Sequence, residues 1–258
     1  MPDTKQYNVG AVERALKLLE ALGERPRSGV TALAQRLDMT KATVFRLLST
    51  LEHNGFVVRE PDQPVYSLGY RMAVLGERAG AQDALLAAAR PVMERLRDAT
   101  SENVNLIVRE GARSLVLSTL SGRHAIRIFA LAGRHGPLHA GGGSLMLLAW
   151  APESVREALL SGPLERFTDQ TETDPEALRA RLAQVRSQGY HIAVNDLDEG
   201  AFSVAAPIRG SRGTVDAAIS IAGAVQRFDA EKRRTYLDLV LASAAEISQK
   251  LGLGMPPS

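Results

Sequence analysis

The hydrophobic positions of the chain fall into two regimes. Up to about residue 100 they recur mostly at the helical period, interrupted by one pair of β-rich runs; beyond it, short apolar runs alternate with helical ones. Val12, Ala15, Leu16, Leu19 and Leu22 follow i, i+3, i+4, i+7, i+10, which predicts an amphipathic helix from Gly10 to about Leu22, ended by Gly23. Glu24 to Gly29, holding Pro26 and Gly29, breaks that pattern. Leu33, Ala34 and Leu37 then share one face of a short helix starting near Thr31. Asp38 and Met39 form a tight connection, Asp tolerating the positive φ such turns need, although less well than Gly. Val44, Leu47, Leu48 and Leu51 give a third helix within Thr40 to Gly55, with Thr40 as N-cap and Gly55 as the left-handed stop. Its other face carries Ala42, Arg46, Ser49 and His53.

A hairpin follows. Phe56 to Arg59 and Val65 to Leu68 are β-rich runs about the turn EPDQ, where Pro61 presets φ and Asp62 suits the next position. Two helices joined by about three residues, the second beginning with small and polar groups, form a helix-turn-helix, and the hairpin completes the winged-helix order. In that arrangement the second helix of the pair enters the major groove of double-stranded DNA. Thr40, Lys41, Ala42, Thr43 and Arg46 then meet DNA, and Arg59 on the wing lies beside phosphate. A plain three-helix bundle would account for the periodicity but not for the tight turn or the hairpin.

Gly69 to about Gly80, with Met72, Leu75 and Ala79 at helical spacing, reads as a linker helix. Alanine-rich Ala81 to Ala99 reads as another, with Leu85, Ala89, Val92, Met93 and Leu96 along one side and Pro91 as a kink or restart. From residue 103 strands are expected at Val104 to Arg109, Ser114 to Thr119 and Ala125 to Ala130. Helices are expected at Leu145 to Trp150, Pro152 to Leu160 and Asp174 to Gln188. Strands return at His191 to Val194, Phe202 to Ile208 and Thr214 to Ile221, before a closing helix from Asp229 to Lys250. Strands grouped in hairpins with accompanying helices point to a multidomain α+β chain rather than a doubly wound sheet. The expected division is a winged helix-turn-helix over 1–68, a linker helix over 69–82 and a larger domain over 83–258.

Composition narrows the setting. Of 258 residues, 45% are hydrophobic and 23% charged, as in a soluble globular protein. No run of eighteen apolar residues and no basic-then-apolar start occurs, so neither a membrane span nor a secretory signal is expected. The absence of cysteine excludes disulfides and thiolate metal sites, and fits a cytoplasmic location. Residues 1–80 hold 11 Lys and Arg against 9 Asp and Glu, so the whole net charge of +2 sits in the first third. Arg25, Arg27, Arg36, Lys41 and Arg46 form a basic run in which Asp38 is the one acidic residue.

The conspicuous chemistry of the second part is Arg134 to Leu148, RHGPLHAGGGSLMLL. Three glycines before a helix allow close backbone approach to a ligand, and Ser144 is expected to cap that helix, whose N-terminus attracts an anion. No Gly-Lys-Ser/Thr follows the glycines, so this is not a P-loop. His139 beside glycines is similar to the oxyanion-hole motif of lipases, which leaves a small hydrolase fused to a DNA-binding module as the alternative; no Gly-x-Ser-x-Gly elbow occurs. His124, His135 and His139 show no metal spacing, and neither a metal nor a cofactor is expected.

AVERALKLLEALGE, TALAQRLDMTKATVFRLLSTLEHNGFVVRE and YSLGYRMAVLG together resemble the N-terminal half of the IclR-type bacterial transcriptional regulators. Arg46-Leu47-Leu48 and Tyr66-Ser67-Leu68-Gly69 carry much of that resemblance. Asp38 stands where Gly is common and Ala42 where Ser or Thr is common. GYHIAVNDLDEGAFSVAAPI and GTVDAAISIAG extend it over essentially the whole chain. The resemblance implies a C-terminal antiparallel sheet with helices, similar to GAF and profilin-like folds, and a linker that helps pair subunits into a homodimer or a tetramer. It also implies an effector pocket with Gly142 and Gly143 as backbone donors, Ser203 and Ser220 as hydroxyls, and Ala125 and Ile128 as apolar wall. Ala193 and Ala222 replace an Asp and a Ser found in members that bind small organic acids. The implied effector is therefore more apolar, an aromatic acid or amide, and the implied protein a repressor of a catabolic operon acting on an inverted-repeat operator.

Overall fold

The computed structural model of the chain describes residues 8–124, 132–210 and 213–252. It divides into two compact units, Met1–Gln82 and Asp83–Ser258.

The first unit orders α1 (Gly10–Glu24), β1 (Ser28–Gly29), α2 (Val30–Arg36), α3 (Lys41–His53), β2 (Val57–Arg59), β3 (Val65–Leu68) and α4 (Tyr70–Gln82). The apolar stripes read for α2 and α3 meet in one core, but α1 turns a different side inward than its spacing predicted: of Val12, Ala15, Leu16, Leu19 and Leu22 the structure buries Leu22, half-buries Ala15 and Leu19, and leaves Val12 and Leu16 exposed. Leu18, Ala21 and Leu22 of α1 pack with Leu33 and Ala34 of α2, Val44 and Leu48 of α3, Val57 of β2 and Tyr66 of β3. Asp38 takes φ 49°, and its turn is held by the Met39 N–H donating to the Ala34 carbonyl at 3.0 Å. Gly55 takes φ 74° just past the end of α3. Gly69 is equally constrained, because a Cβ there would run into the Gly55 carbonyl. The breaking segment before α2 does more than break: Ser28–Gly29 adds a third strand to the wing, giving the antiparallel order β1-β3-β2. A two-residue strand carries no alternation by which to find it.

The second unit begins with α5 (Ala84–Thr100), whose N-cap Asp83 accepts the Leu85 and Leu86 N–H groups at 2.8 and 3.1 Å. Pro91 lies inside this helix without dividing it. Six strands follow: β4 (Asn103–Glu110), β5 (Arg113–Leu120), β6 (His135–Gly136), β7 (His191–Val194), β8 (Ala201–Ile208) and β9 (Ala217–Ala224). They form one antiparallel sheet in the order β6-β5-β4-β9-β8-β7. Helices α6 (Gly142–Trp150), α7 (Glu153–Leu160), α8 (Pro175–Gln188) and α9 (Ala230–Lys250) complete it.

Period-two alternation divides the layers. Val104 and Leu106 of β4, Ile219 and Ile221 of β9, and Phe202, Val204 and Ala206 of β8 face α5 and α9. Ile107 of β4 and Ala218 of β9 face the opposite way, toward α6, α7 and α8. Every residue of β9 is buried, which is why AAISIAGA reads as a continuous apolar run. That strand lies further along the chain than Thr214 to Ile221, because Ala222, Gly223 and Ala224 still pair with β8. The strand expected at Ala125 to Ala130 lies outside the described residues, as do site residues Ala125 and Ile128. Among the described residues no helix is long and apolar enough to cross a membrane.

Candidate functional site

Two places concentrate chemistry, one in each unit. The first is the outer face of α3. Thr40 is its N-cap with extended backbone, accepting the Thr43 N–H at 3.2 Å, and the two hydroxyls lie 2.9 Å apart. Thr43 is half-buried, so its hydroxyl belongs partly to the cap. Lys41, Ala42, Arg46 and Ser49 are exposed, as is Arg59 on β2. The basic run is less uniform than its sequence. Arg36 pairs with Glu24 and donates to the Ala21 carbonyl, and Arg27 pairs with Glu60 at 3.0 Å. Among the described residues Arg25, Lys41 and Arg46 have no carboxylate at ion-pair distance, and two of these three, Lys41 and Arg46, lie on α3.

The second is a cavity of about 550 Å³ in the larger unit, between the α6 side of the sheet and the start of α6. Gly141 precedes α6 with φ 86°, and the first-turn N–H groups of Gly142, Gly143 and Ser144 have no intrahelical acceptor. They line the cavity, as do Asn105, Ser203 and Ser220 from the sheet. The glycines let helix and sheet approach: a Cβ on Gly142 would lie 2.6 Å from Ser203 Oγ, and one on Gly143 would meet the Ile107 side chain. Across the sheet Ala193, Ser203 and Ala222 form one row, and Asn105 sits opposite Ser220. Ile107, Val116, Phe167 and Leu197 add apolar wall, while Arg113, Arg134 and His135 bring basic groups.

Asp196 also lines this cavity, its Oδ2 accepting the Gly141 N–H at 3.0 Å. Burial pushes its carboxyl above the ordinary range, against the lowering effect of the Gly141 and neighbouring backbone N–H bonds and of Arg181. The backbone that carries it is fixed from behind. Thr171 donates to the Asp196 carbonyl at 2.6 Å and Thr168 donates to the Asn195 carbonyl. Both threonines are buried, and Asn195 itself is left-handed at φ 55°.

A winged helix followed by a helix-flanked antiparallel sheet around such a cavity has known counterparts. The "IclR helix-turn-helix domain" matches residues 11–61 and "Bacterial transcriptional regulator IclR C-terminal" matches residues 80–249. This chain belongs to the IclR family of transcriptional regulators. It is 32% identical over 251 residues to the HTH-type transcriptional regulator KdgR of Escherichia coli, covering 97% of this chain and 95% of that protein. The crystal structure of an IclR transcriptional regulator from Alicyclobacillus acidocaldarius is similar at a TM-score of 0.87 and 27% identity, over 95% of this chain and all of that one. An IclR homologue from Microbacterium hydrocarbonoxydans, crystallised with 4-hydroxybenzoate, is similar at a TM-score of 0.81 and 32% identity, over 94% and 98% of the two chains.

In this IclR regulator the structure brings Gly142, Gly143, Ser203 and Ser220 to one cavity, and Lys41, Ala42 and Arg46 to one exposed helix face. It corrects Ser144, whose hydroxyl does not cap α6: it donates to Ser114 Oγ at 2.8 Å, and Gly141 is the N-cap residue. His139 does not stand with Ser144 as a base would. Its Nε2 lies 2.9 Å from the Glu165 carbonyl and its ring packs on Phe167. His135 pairs with Glu110 at 2.6 Å. Sequence reasoning missed Asn105 and Asp196, which line the cavity. Asn105 carried a readable signal, being a polar residue inside an apolar strand whose buried side chain needs a partner, here the Thr119 hydroxyl at 3.0 Å.

Proposed function

We propose that this IclR regulator is a ligand-responsive repressor that binds an inverted-repeat operator as a homodimer or a dimer of dimers. Each half-site takes one winged helix, with Lys41, Ala42, Thr43 and Arg46 toward the major groove, Thr40 capping that helix, and Arg59 beside phosphate. The reading is supported by the free cationic face of α3. Pairing of two copies is supported by exposed apolar groups on the same unit: Val9 just before α1, Val12 and Leu16 on it, and Tyr70, Val74 and Leu75 on α4.

The cavity carries the effector half of the proposal. Its volume lies in the range of small-molecule sites, and it joins unsatisfied amides at a helix N-terminus to a mostly apolar wall. A carboxylate or amide oxygen suits the α6 end, where Gly142 and Gly143 donate, with Ser203, Ser220 and Asn105 able to bond further polar groups. Ala193 and Ala222 flank Ser203 and make that row apolar, which suits an aromatic body. The relative crystallised with 4-hydroxybenzoate makes that compound a sensible first probe. A hydrolase reading gains nothing from Ser144 and His139, each committed to another partner.

The test is fluorescence anisotropy of the full-length protein on DNA flanking its own gene, with and without a panel of aromatic acids and amides headed by 4-hydroxybenzoate. Salt-dependent binding, shifted by at least one compound and weakened about tenfold or more by Arg46→Ala, is expected. Affinity that ignores both the panel and Arg46 would refute the proposal.

A further inference from the structure

The residue on the recognition face that the assignment above leaves without a role is Phe45. It lies in the second turn of α3 and is 55% exposed, although its helix contributes Val44 and Leu48 to the core and has no need of another apolar contact. Ala42 lies three residues before it and Ser49 four after, both exposed, so Ala42 and Phe45 are neighbours on the helix surface. Lys41 and Arg46 stand on either side of this pair in sequence. An apolar strip set between two unpaired cations is poorly suited to water alone.

We infer that Phe45, with Ala42, reads the 5-methyl group of thymine in each operator half-site. The inference rests on docking of α3 in the major groove. There, thymine is the one base that carries a methyl group; cytosine offers a bare C5–H beside its N4 amino donor, and guanine and adenine offer N7 with O6 or the N6 amino group. A phenyl ring and an alanine methyl supply no donor or acceptor. They gain by covering the thymine methyl and lose by covering a polar base edge that is left without a partner. The pair therefore specifies a base, whereas Lys41 and Arg46 hold phosphates or a guanine edge. Ala42 then has a positive role: the methyl that replaces a hydroxyl extends the apolar strip of Phe45.

The experiment uses the full-length protein and a duplex that it selects from a randomised library. Each thymine of the half-site is replaced in turn by deoxyuridine, which removes only the methyl. At one or two positions the wild-type protein should lose three- to fivefold in affinity, the worth of one buried methyl group. Phe45→Ala should bind the thymine and uracil duplexes equally at those positions, Phe45→Leu should retain part of the difference, and Arg46→Ala should retain all of it while binding more weakly throughout. Wild-type indifference to uracil at every position would overturn the inference. So would a uracil penalty unchanged in Phe45→Ala, or loss of binding by Phe45→Ala traced to a smaller sedimentation mass, which would make Phe45 a contact between copies. Failure to select any duplex would instead strike the DNA-docking reading itself.

Discussion

Asp196 places a carboxylate beside the helix end that is proposed to receive an anionic effector. Its pKa is already raised, chiefly by burial, and the groups that oppose the rise are the N–H bonds from Gly141 and the local backbone together with Arg181. A bound carboxylate a few ångströms away disfavours the ionised form further, so binding takes up a proton and affinity for an acid effector falls as pH rises. Calorimetric titration in buffers of different ionisation enthalpy should detect that uptake. Asp196→Asn should abolish it, and a proton count unchanged in the variant would remove Asp196 from the binding equilibrium. His191 gives a separate pH dependence, of stability rather than binding. Burial first and Arg181 second hold its pKa at about 4, below the ordinary 6.5, and among the described residues its buried Nε2 has no hydrogen-bond partner. Because the folded value is the lower, the unfolded chain binds the extra proton, and stability present above pH 6.5 is lost as pH falls toward 4. The loss amounts to at most about 3 kcal/mol at the low end of that window. Thermal melts of His191→Phe should show a flatter pH profile there than wild type; parallel profiles would contradict the assignment.

At the scale of elements, the joint between α6 and β8 is the most sharply specified. Gly142 allows it, since an alanine methyl would come 2.6 Å from Ser203 Oγ. Gly142→Ala should push the first turn of α6 off the sheet, weakening effector binding tenfold or more while operator affinity without effector stays within about threefold. Equal effector affinity in the variant would show that the ligand does not sit at this joint. The same joint shows what the sequence could tell. The glycine run announced close approach, and the helices and strands on either side followed from periods of 3.6 and 2. What lay beyond reach was relation between distant segments: that Ser114 rather than the helix takes the Ser144 hydroxyl, that Asp196 reaches Gly141, and that Glu24 and Glu60 neutralise two arginines of the basic run. Such pairings depend on tertiary position, which no local spacing encodes. Ala125 and Ile128 remain an expectation drawn from family resemblance.

At the scale of the whole molecule, two compact units carry the two proposed binding sites, and regulation requires that these share free energy. An effector that binds DNA-competent and DNA-incompetent states equally shifts nothing, however tightly it binds. Coupling is reciprocal: if effector changes operator affinity by some factor, operator changes effector affinity by that same factor. The α4 helix, which ends where the larger unit begins, is the covalent route between them. The most direct measurement is therefore titration of the active compound from the aromatic acid and amide panel into the full-length protein, alone and saturated with its operator duplex. For a repressor released by its ligand, the compound should bind more weakly to the operator complex, by the factor by which it weakens operator binding and within the usual range of about 5- to 150-fold. Identical effector affinity in the presence and absence of operator would contradict the account.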